Sequence, residues 1–320
     1  GRWATGRCSV ERAGSMNAQR APLPGNRWHF AHGPIDLVIG ADGDAHAVAA
    51  AHEAAWRRFE NVLAELVAEL PLLRRPVAGD CPLRGPVAAR MWRACQPFRE
   101  RFVTPMAAVA GSVAEEIVAF YRGEGVERAW VNNGGDIALH LRPGRSVAIG
   151  LFADVSRLDV VAAAAGPVDS RHFVDGRFEI RHAMPVRGVA TSGWRGRSFS
   201  LGIADSVTVL ASTASQADAA ATIVANAVNL DDPRIRRQRA CELKDDTDLG
   251  ELPVTVDVPV LDAGDIDRAL DAGERCAQDL CAAGLLHAAV LVCQRRARIV
   301  GVGLDETEQE NHRCRLAFAS

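Results

Sequence analysis

The period of apolar and polar positions changes several times along the chain, and each change marks an element. Residues 27–41 alternate about a short "HGP" turn, with Ile35, Leu37 and Ile39 on one face, the signature of a half-buried hairpin. From Asp44, a suitable N-cap, the spacing becomes helical: Val48, Ala55, Phe59, Val62, Leu66 and Leu70 share a face, and Pro71 is expected to end the helix. Residues 71–103 are rich in Pro, Gly and Arg and read as a connection with one helical turn over 87–95. A second helix is predicted from Thr104-Pro105 through Met106, Val109, Val113, Ile117 and Phe120 to Gly123. Threonine would cap it, and proline suits a first helical position that needs no N–H.

A second hairpin follows, with Ala129, Trp130 and Val131 before "NNGGD" (132–136) and Ile137, Leu139 and Leu141 after it. Strand-like runs occur at 146–152 and 198–211, then a helix from 213–215 to about 229, a short strand at 253–258 and a helix over 265–283. A closing hairpin, "LHAAVLVC" and "ARIVGVG", turns through "QRRA". The order hairpin, helix, helix, hairpin therefore occurs twice, over 27–142 and 146–302. It predicts an α+β fold of two related ββααββ halves, with antiparallel sheets packed around a shared cleft. Residues 1–26 read as a disordered segment or an upstream leader, with Met16 as a natural start, and 303–320 as a polar C-terminal tail.

Composition narrows the function. A chain of 320 residues, 48% hydrophobic and 24% charged, has the make-up of an ordinary globular protein with a substantial core. A net charge of −3 gives no general attraction to nucleic acid or an anionic membrane. The basic run "RIRRQR" (234–239) is followed at once by "ACELKDDTD" and reads as a solvated loop. No apolar run is long enough to span a bilayer, and residues 1–26 hold no secretory h-region. The eight cysteines include no CxxC pair and the nine histidines no ligand-spaced cluster, as expected of a reduced, cytoplasmic protein.

The knot "NNGGD" supports two readings. Glycines and asparagines tolerate positive φ and make tight hairpins. Adjacent glycines also let a ligand approach the backbone and present N–H groups to an anion. The closing turn "QRRA" needs no glycine, which weakens the purely structural account. Three segments could complete a site. "TPMAAVAG" (104–111) opens a helix with Thr104, Met106 and Ala107, where free N–H groups would seat a phosphate. "GVATSGWRGRS" (188–198) carries Thr191, Ser192 and Gly193 and is not a GxSxG elbow. "SQADAAAT" (215–222) places Asp218 and Thr222 four residues apart on one helix face, an oxygen pair suited to magnesium. Each also has a plainer reading: a core helix, a surface turn, and a first-turn carboxylate with a core-facing threonine.

Through "TPMAAVAGSVAEEI", "AWVNNGGDIALHL", "GVATSGWRGRS", "SFSLGIADSVTVLA" and "ASQADAAATIVANAV", over about 104–229, the sequence resembles the ApbE-like superfamily. Flavin transferases typify that superfamily, and the chain looks most like its cytoplasmic branch, uncharacterised protein family 0280. The resemblance implies two α+β halves holding FAD between them, a magnesium ion at the pyrophosphate, and transfer of FMN to a hydroxyl of an acceptor protein. Carried to this chain, Asn132, Asn133, Gly134 and Gly135 would border the nucleotide beside Asp136, the catalytic candidate. Thr104, Met106, Ala107, Thr191, Ser192 and Gly193 would line the same cleft, and Asp218 and Thr222 would hold the magnesium. The transferases carry a lysine in the helix that here reads "MAAVAGSVAEEI", which has none. They also carry His-Ile-Ile-Asp-Pro where this chain has "SFSLGIAD". Two functions stay open: a magnesium-dependent flavin or related phosphate transferase, and a non-catalytic module holding FAD, FMN or a pterin-like cofactor.

Overall fold

In a computed structural model, which describes residues 17–151, 176–301 and 317–318, the chain forms an α+β fold of antiparallel sheets and helices. A meander of β1 (Gln19–Leu23), β2 (Arg27–His32) and β3 (Ile35–Gly43) leads into α1 (Ala45–Ala68). The Asp44 carboxylate accepts from the Ala47 N–H at 2.9 Å and so caps α1. Pro71 does not end the helical stretch. The long helix breaks at Glu69, and a short α2 (Leu70–Leu73) takes Pro71 into its first turn, where no proline N–H is needed. The Pro-rich connection holds the ten-residue α3 (Pro86–Cys95). Then come α4 (Val109–Val118) and the hairpin β4 (Val126–Asn133) and β5 (Asp136–Leu141).

The remainder comprises β6 (Ser146–Leu151), β7 (Gly176–Arg181), β8 (Gly188–Ser192), β9 (Ser206–Ala211), α5 (Ala214–Ala227), β10 (Arg236–Arg239), α6 (Ala240–Leu243) and β11 (Pro253–Asp257). It ends with α7 (Ala263–Ala282), the hairpin β12 (Ala288–Cys293) and β13 (Arg296–Gly301), and β14 (Ala317–Phe318).

Among the described residues nine strands make one sheet, ordered β1-β2-β3-β4-β5-β8-β9-β12-β13, with every neighbour antiparallel. Within it β4 pairs with β3, and β12 with β9, each after an intervening helical stretch. The helices cover one face over a core that includes Phe30, Leu37, Ile39, Val131, Ala138, Val207 and Val209. On the other face Leu139, Leu141, Val189, Leu210 and Val290 pack against Ile149, Phe178 and Ile180.

Three boundaries differ from those read along the sequence. Residues 146–151 join β7 and β14 in a separate small sheet, so the second half of the main sheet begins at β8. The run 198–211 is a strand only from Ser206. Its apolar Ile203 and Ala204 are buried in a loop, where the Ile203 N–H donates to the Val228 carbonyl at 2.8 Å. The sheet starts at Gln19, inside the stretch read as leader. Residues 1–16 of that leader and 303–316 of the tail lie outside the described residues, while Ala317–Phe318 pair with β7. Among the described residues no helix is long and apolar enough to cross a membrane.

Candidate functional site

The β4–β5 turn is a two-residue loop between the paired Asn133 and Asp136, with Gly134 at φ +66° and Gly135 at φ +119°. The Asn132 Oδ1 accepts from the Gly135 N–H at 2.8 Å and stiffens the loop from outside. Strand alternation turns Asn133 and Asp136 toward the helices. There the Asn133 Nδ2 donates to the Ala110 carbonyl at 3.1 Å, tying the turn to the start of α4. Asp136, only 8% exposed, accepts from the Thr191 N–H at 3.1 Å across the sheet. Residues 132–136 and 191–193 are thus brought together.

A close helix crossing supplies the second carboxylate. A methyl on Gly111 would stand 2.2 Å from the Ala214 carbonyl oxygen, so only glycine lets α4 and α5 approach this far. The crossing sets Asp218 of α5 against the first turn of α4, where its Oδ2 accepts from the Gly111 N–H at 2.8 Å. In return Glu115 of α4 accepts from the Ser215 N–H at 3.2 Å and the Ser215 hydroxyl at 2.7 Å, at the first turn of α5. Each helix dipole therefore meets a carboxylate from the other helix.

This arrangement corrects the reading of 104–111 as a phosphate seat. The α-helix begins at Val109, after a single 3₁₀ turn over Pro105–Ala108, and its Gly111 N–H is taken by Asp218. Thr104 caps nothing. It is buried, and its hydroxyl donates to Asp248. Met106 and Ala107 are partly buried against the helix-side core.

The two aspartates feel one another. Burial pushes the Asp136 carboxyl up to about 7, against the opposing pull of the Thr191 N–H. Asp218 is driven well above the usual carboxylate range, first by burial and then by the charge of Asp136, although the N–H groups of Gly111 and Ala110 favour its ionised form. The Asp218 residue keeps some surface open to solvent even though protein packs densely around its carboxyl. Thr222, one turn further on, is also partly exposed. Cys95 lies close enough to Asp218 for that charge, added to burial, to raise its thiol pKa, leaving an inert thiol.

Among the described residues there is no cluster of three or more His, Cys, Asp or Glu that could form a protein-only metal cage. The donors here are the hard oxygens of two carboxylates, with Thr222 one helical turn beyond Asp218. Such a set suits magnesium, which binds proteins through one or two carboxylates and completes its shell with water and phosphate. A divalent cation would also relieve the repulsion between Asp136 and Asp218.

The "TSG" residues divide in their roles. Thr191 offers only its N–H, because alternation turns its hydroxyl to the far face, where it bonds Thr208 Oγ1 at 2.9 Å. Ser192, paired with the core-facing Val207, lies on the helix side and is partly exposed. Gly193 is explained by packing, since a methyl there would stand 2.4 Å from the Asp205 carbonyl oxygen. Sequence reasoning misses Glu115 and Gly111, because their role depends on a crossing between segments about a hundred residues apart. A charged groove lined by Asp42, Glu127, Arg128, Arg145 and Ser146 sits at the other end of β4 from this turn, with Arg145 paired to Glu127 at 3.4 Å.

Known proteins can now be set beside this geometry. A family profile described as AbpE bacteria matches residues 19–302. The UPF0280 protein of Methanopyrus kandleri is 39% identical over 219 residues, covering 66% of this chain and 78% of that protein. The UPF0280 protein of Methanosarcina acetivorans is 32% identical over 213 residues, covering 66% of this chain and 75% of that protein. The crystal structure of the ApbE protein from Thermotoga maritima aligns with a TM-score of 0.41 at 12% identity, over 88% of this chain and 96% of that one. That last likeness is too distant to support an argument. The profile match and the relatives place the chain in the AbpE bacteria family, alongside the UPF0280 proteins.

Proposed function

We propose that this protein binds a flavin nucleotide, FAD or FMN, in the cleft between the Gly134–Gly135 turn and the α4–α5 crossing, with magnesium at Asp136 and Asp218. One observation carries the reading: two neighbouring carboxylates of raised proton affinity stand behind a turn with no side chains of its own. The resemblance of residues 104–229 to the flavin transferases of the ApbE-like superfamily makes a flavin the expected occupant. Asp136 and Asp218 would hold the cation through oxygens that the N–H groups of Thr191 and Gly111 leave free, with the Thr222 hydroxyl beside them. Magnesium, when bound, would neutralise phosphate charge. The open space beside Gly135, where a methyl would meet nothing within 4 Å, leaves room for a ligand against the backbone.

In an enzymatic version the Asp136 carboxylate would take the proton of an acceptor-protein hydroxyl as that oxygen bonds the FMN phosphorus and the pyrophosphate bond breaks, AMP leaving. The absence of a lysine over 104–118 and of a histidine over 198–206 favours the second version, a module that holds the flavin without transferring it. Six cysteines, all free among the described residues, suit a reduced cytoplasmic setting.

The test is to record the visible absorption of the purified protein, identify any ligand released on denaturation, and incubate the protein with FAD and magnesium. Bound flavin with FAD intact supports the binding module. AMP release with flavin attached to an acceptor protein supports the transferase. Failure to bind FAD or FMN, with or without magnesium, contradicts the proposal.

A further inference from the structure

We propose that Arg197 grips the anionic group of a phosphorylated ligand above the Gly134–Gly135 turn and so makes the site selective for phosphorylated over neutral ligands. This assignment rests on the binding site proposed above and adds a residue to it. Arg197 lies in the loop between β8 and β9, far from the turn in sequence, yet its guanidinium is parked on that turn. A methyl placed on Gly134 would stand 3.3 Å from the Arg197 Nη1 and 3.9 Å from its Cζ.

The glycine at 134 is not explained by backbone conformation alone. Gly134 has φ +66°, and Arg295 holds φ +68° in the closing hairpin with a full side chain. What distinguishes position 134 is the guanidinium above it. A methyl there would meet the Arg197 guanidinium, which would have to shift by a few tenths of an ångström.

Arg197 is exposed and makes no hydrogen bond or ion pair among the described residues. Its neighbour Arg195, by contrast, pairs with Asp205 at 3.2 Å and stacks on Trp194 at 5.1 Å. A guanidinium held against bare backbone, with open space beside Gly135, offers parallel donors that match two phosphate oxygens. It also supplies the positive charge that a phosphate needs near Asp136 and Asp218, which repel an anion until a cation screens them.

The test measures binding of three probes to the full chain: FAD with magnesium, inorganic pyrophosphate with magnesium, and riboflavin, which has no phosphate. Arg197→Ala should weaken FAD and pyrophosphate by about tenfold, the scale of one charge-assisted hydrogen bond, and leave riboflavin unchanged. Arg197→Lys, which keeps the charge and loses the fork, should fall between. Thermal melts of both variants should match wild type, because the side chain has no partner to lose. Undiminished pyrophosphate and FAD binding in Arg197→Ala, or an equal loss for riboflavin, overturns the assignment while leaving the flavin reading in place. If wild type binds pyrophosphate but neither flavin, and Arg197→Ala weakens it, the flavin reading fails and the arginine assignment holds. A wild-type protein that binds none of the three probes overturns both.

Discussion

The β4–β5 and β12–β13 hairpins turn through loops of the same length, both with two consecutive positive φ angles, but their surfaces are built differently. In the closing hairpin Gln294 at φ +44° and Arg295 at φ +68° carry full side chains. Gln294 fastens that turn to its surroundings: its side chain donates to the Pro259 carbonyl at 2.6 Å and accepts from the Leu261 N–H at 3.0 Å, and its backbone N–H reaches Asp205 at 2.5 Å. The Gly134–Gly135 turn has no side chain and is held from outside by Asn132. Behind the turns the contrast is sharper. Asp136 is buried with its charge uncompensated, whereas Arg296 is exposed and paired with Asp267 at 2.6 Å. A hairpin of this length therefore does not need glycines or a buried carboxylate. Their presence together at one turn calls for a reason beyond folding.

The largest effect that could break this comparison is the pH dependence of stability. Folded Asp136 and Asp218 hold protons more tightly than they would in the unfolded chain, so between about pH 4 and pH 7 the folded state binds more protons. Stability of the ligand-free protein should be highest at the acid end of that window and fall as pH rises through it. Asp136 alone, displaced upward by about three units, accounts for a loss of roughly 4 kcal/mol, since each unit is worth about 1.4 kcal/mol. Urea denaturation across pH checks it. Asp218→Asn, which keeps an acceptor for the Gly111 N–H, should flatten the slope, and a slope that rises instead would show that the pair is not buried as described. Asp218→Ala removes the acceptor as well and should be about 1–2 kcal/mol less stable than Asp218→Asn at every pH, the scale of a lost helix cap.

Next in size is Gly135→Ala. At φ +119° the new side chain is strained, for roughly 1–2 kcal/mol in a thermal melt, although its methyl meets no protein atom within 4 Å. Its FAD affinity should fall by more than that stability loss explains, because the methyl occupies ligand space. The smaller effects belong to the closing turn. Arg295→Gly relieves a left-handed residue and should raise stability by up to about 1 kcal/mol while FAD binding stays as in wild type. Arg296→Gln breaks only a surface ion pair and should change stability by about 0.5 kcal/mol or less at any pH.

Much of this contrast is legible in the sequence, because turns and hairpins are local. "NNGGD" and "QRRA" mark their turns, Asp44 marks the α1 cap, and period-two alternation marks most of the sheet. The long-range part is not. Nothing local shows that Asp218 reaches α4 rather than facing open solvent, or that Glu115 returns the contact to α5. The helix at 104 was expected to begin with a capping threonine, but Thr104 is drawn instead to Asp248, which lies in a charged loop that sequence pattern leaves unplaced. The strand expected over 198–211 fails for a related reason. Close packing at Gly202, where a methyl would stand 2.0 Å from the Ala225 carbonyl oxygen, seats those apolar residues beside α5 as a loop.

The bare turn and the two aspartates behind it, taken as one cation-assisted site for a flavin nucleotide, require that FAD affinity depend on both magnesium and Asp136. Calorimetric titration of FAD into wild type and Asp136→Asn at pH 8, each with and without magnesium, tests it most directly. Magnesium should tighten FAD binding to wild type by at least about tenfold, as expected when one charged contact depends on the cation, and the Asp136→Asn variant should fold normally but lose the magnesium effect. Equal FAD affinity with and without magnesium in wild type, or an undiminished magnesium effect in Asp136→Asn, would contradict it.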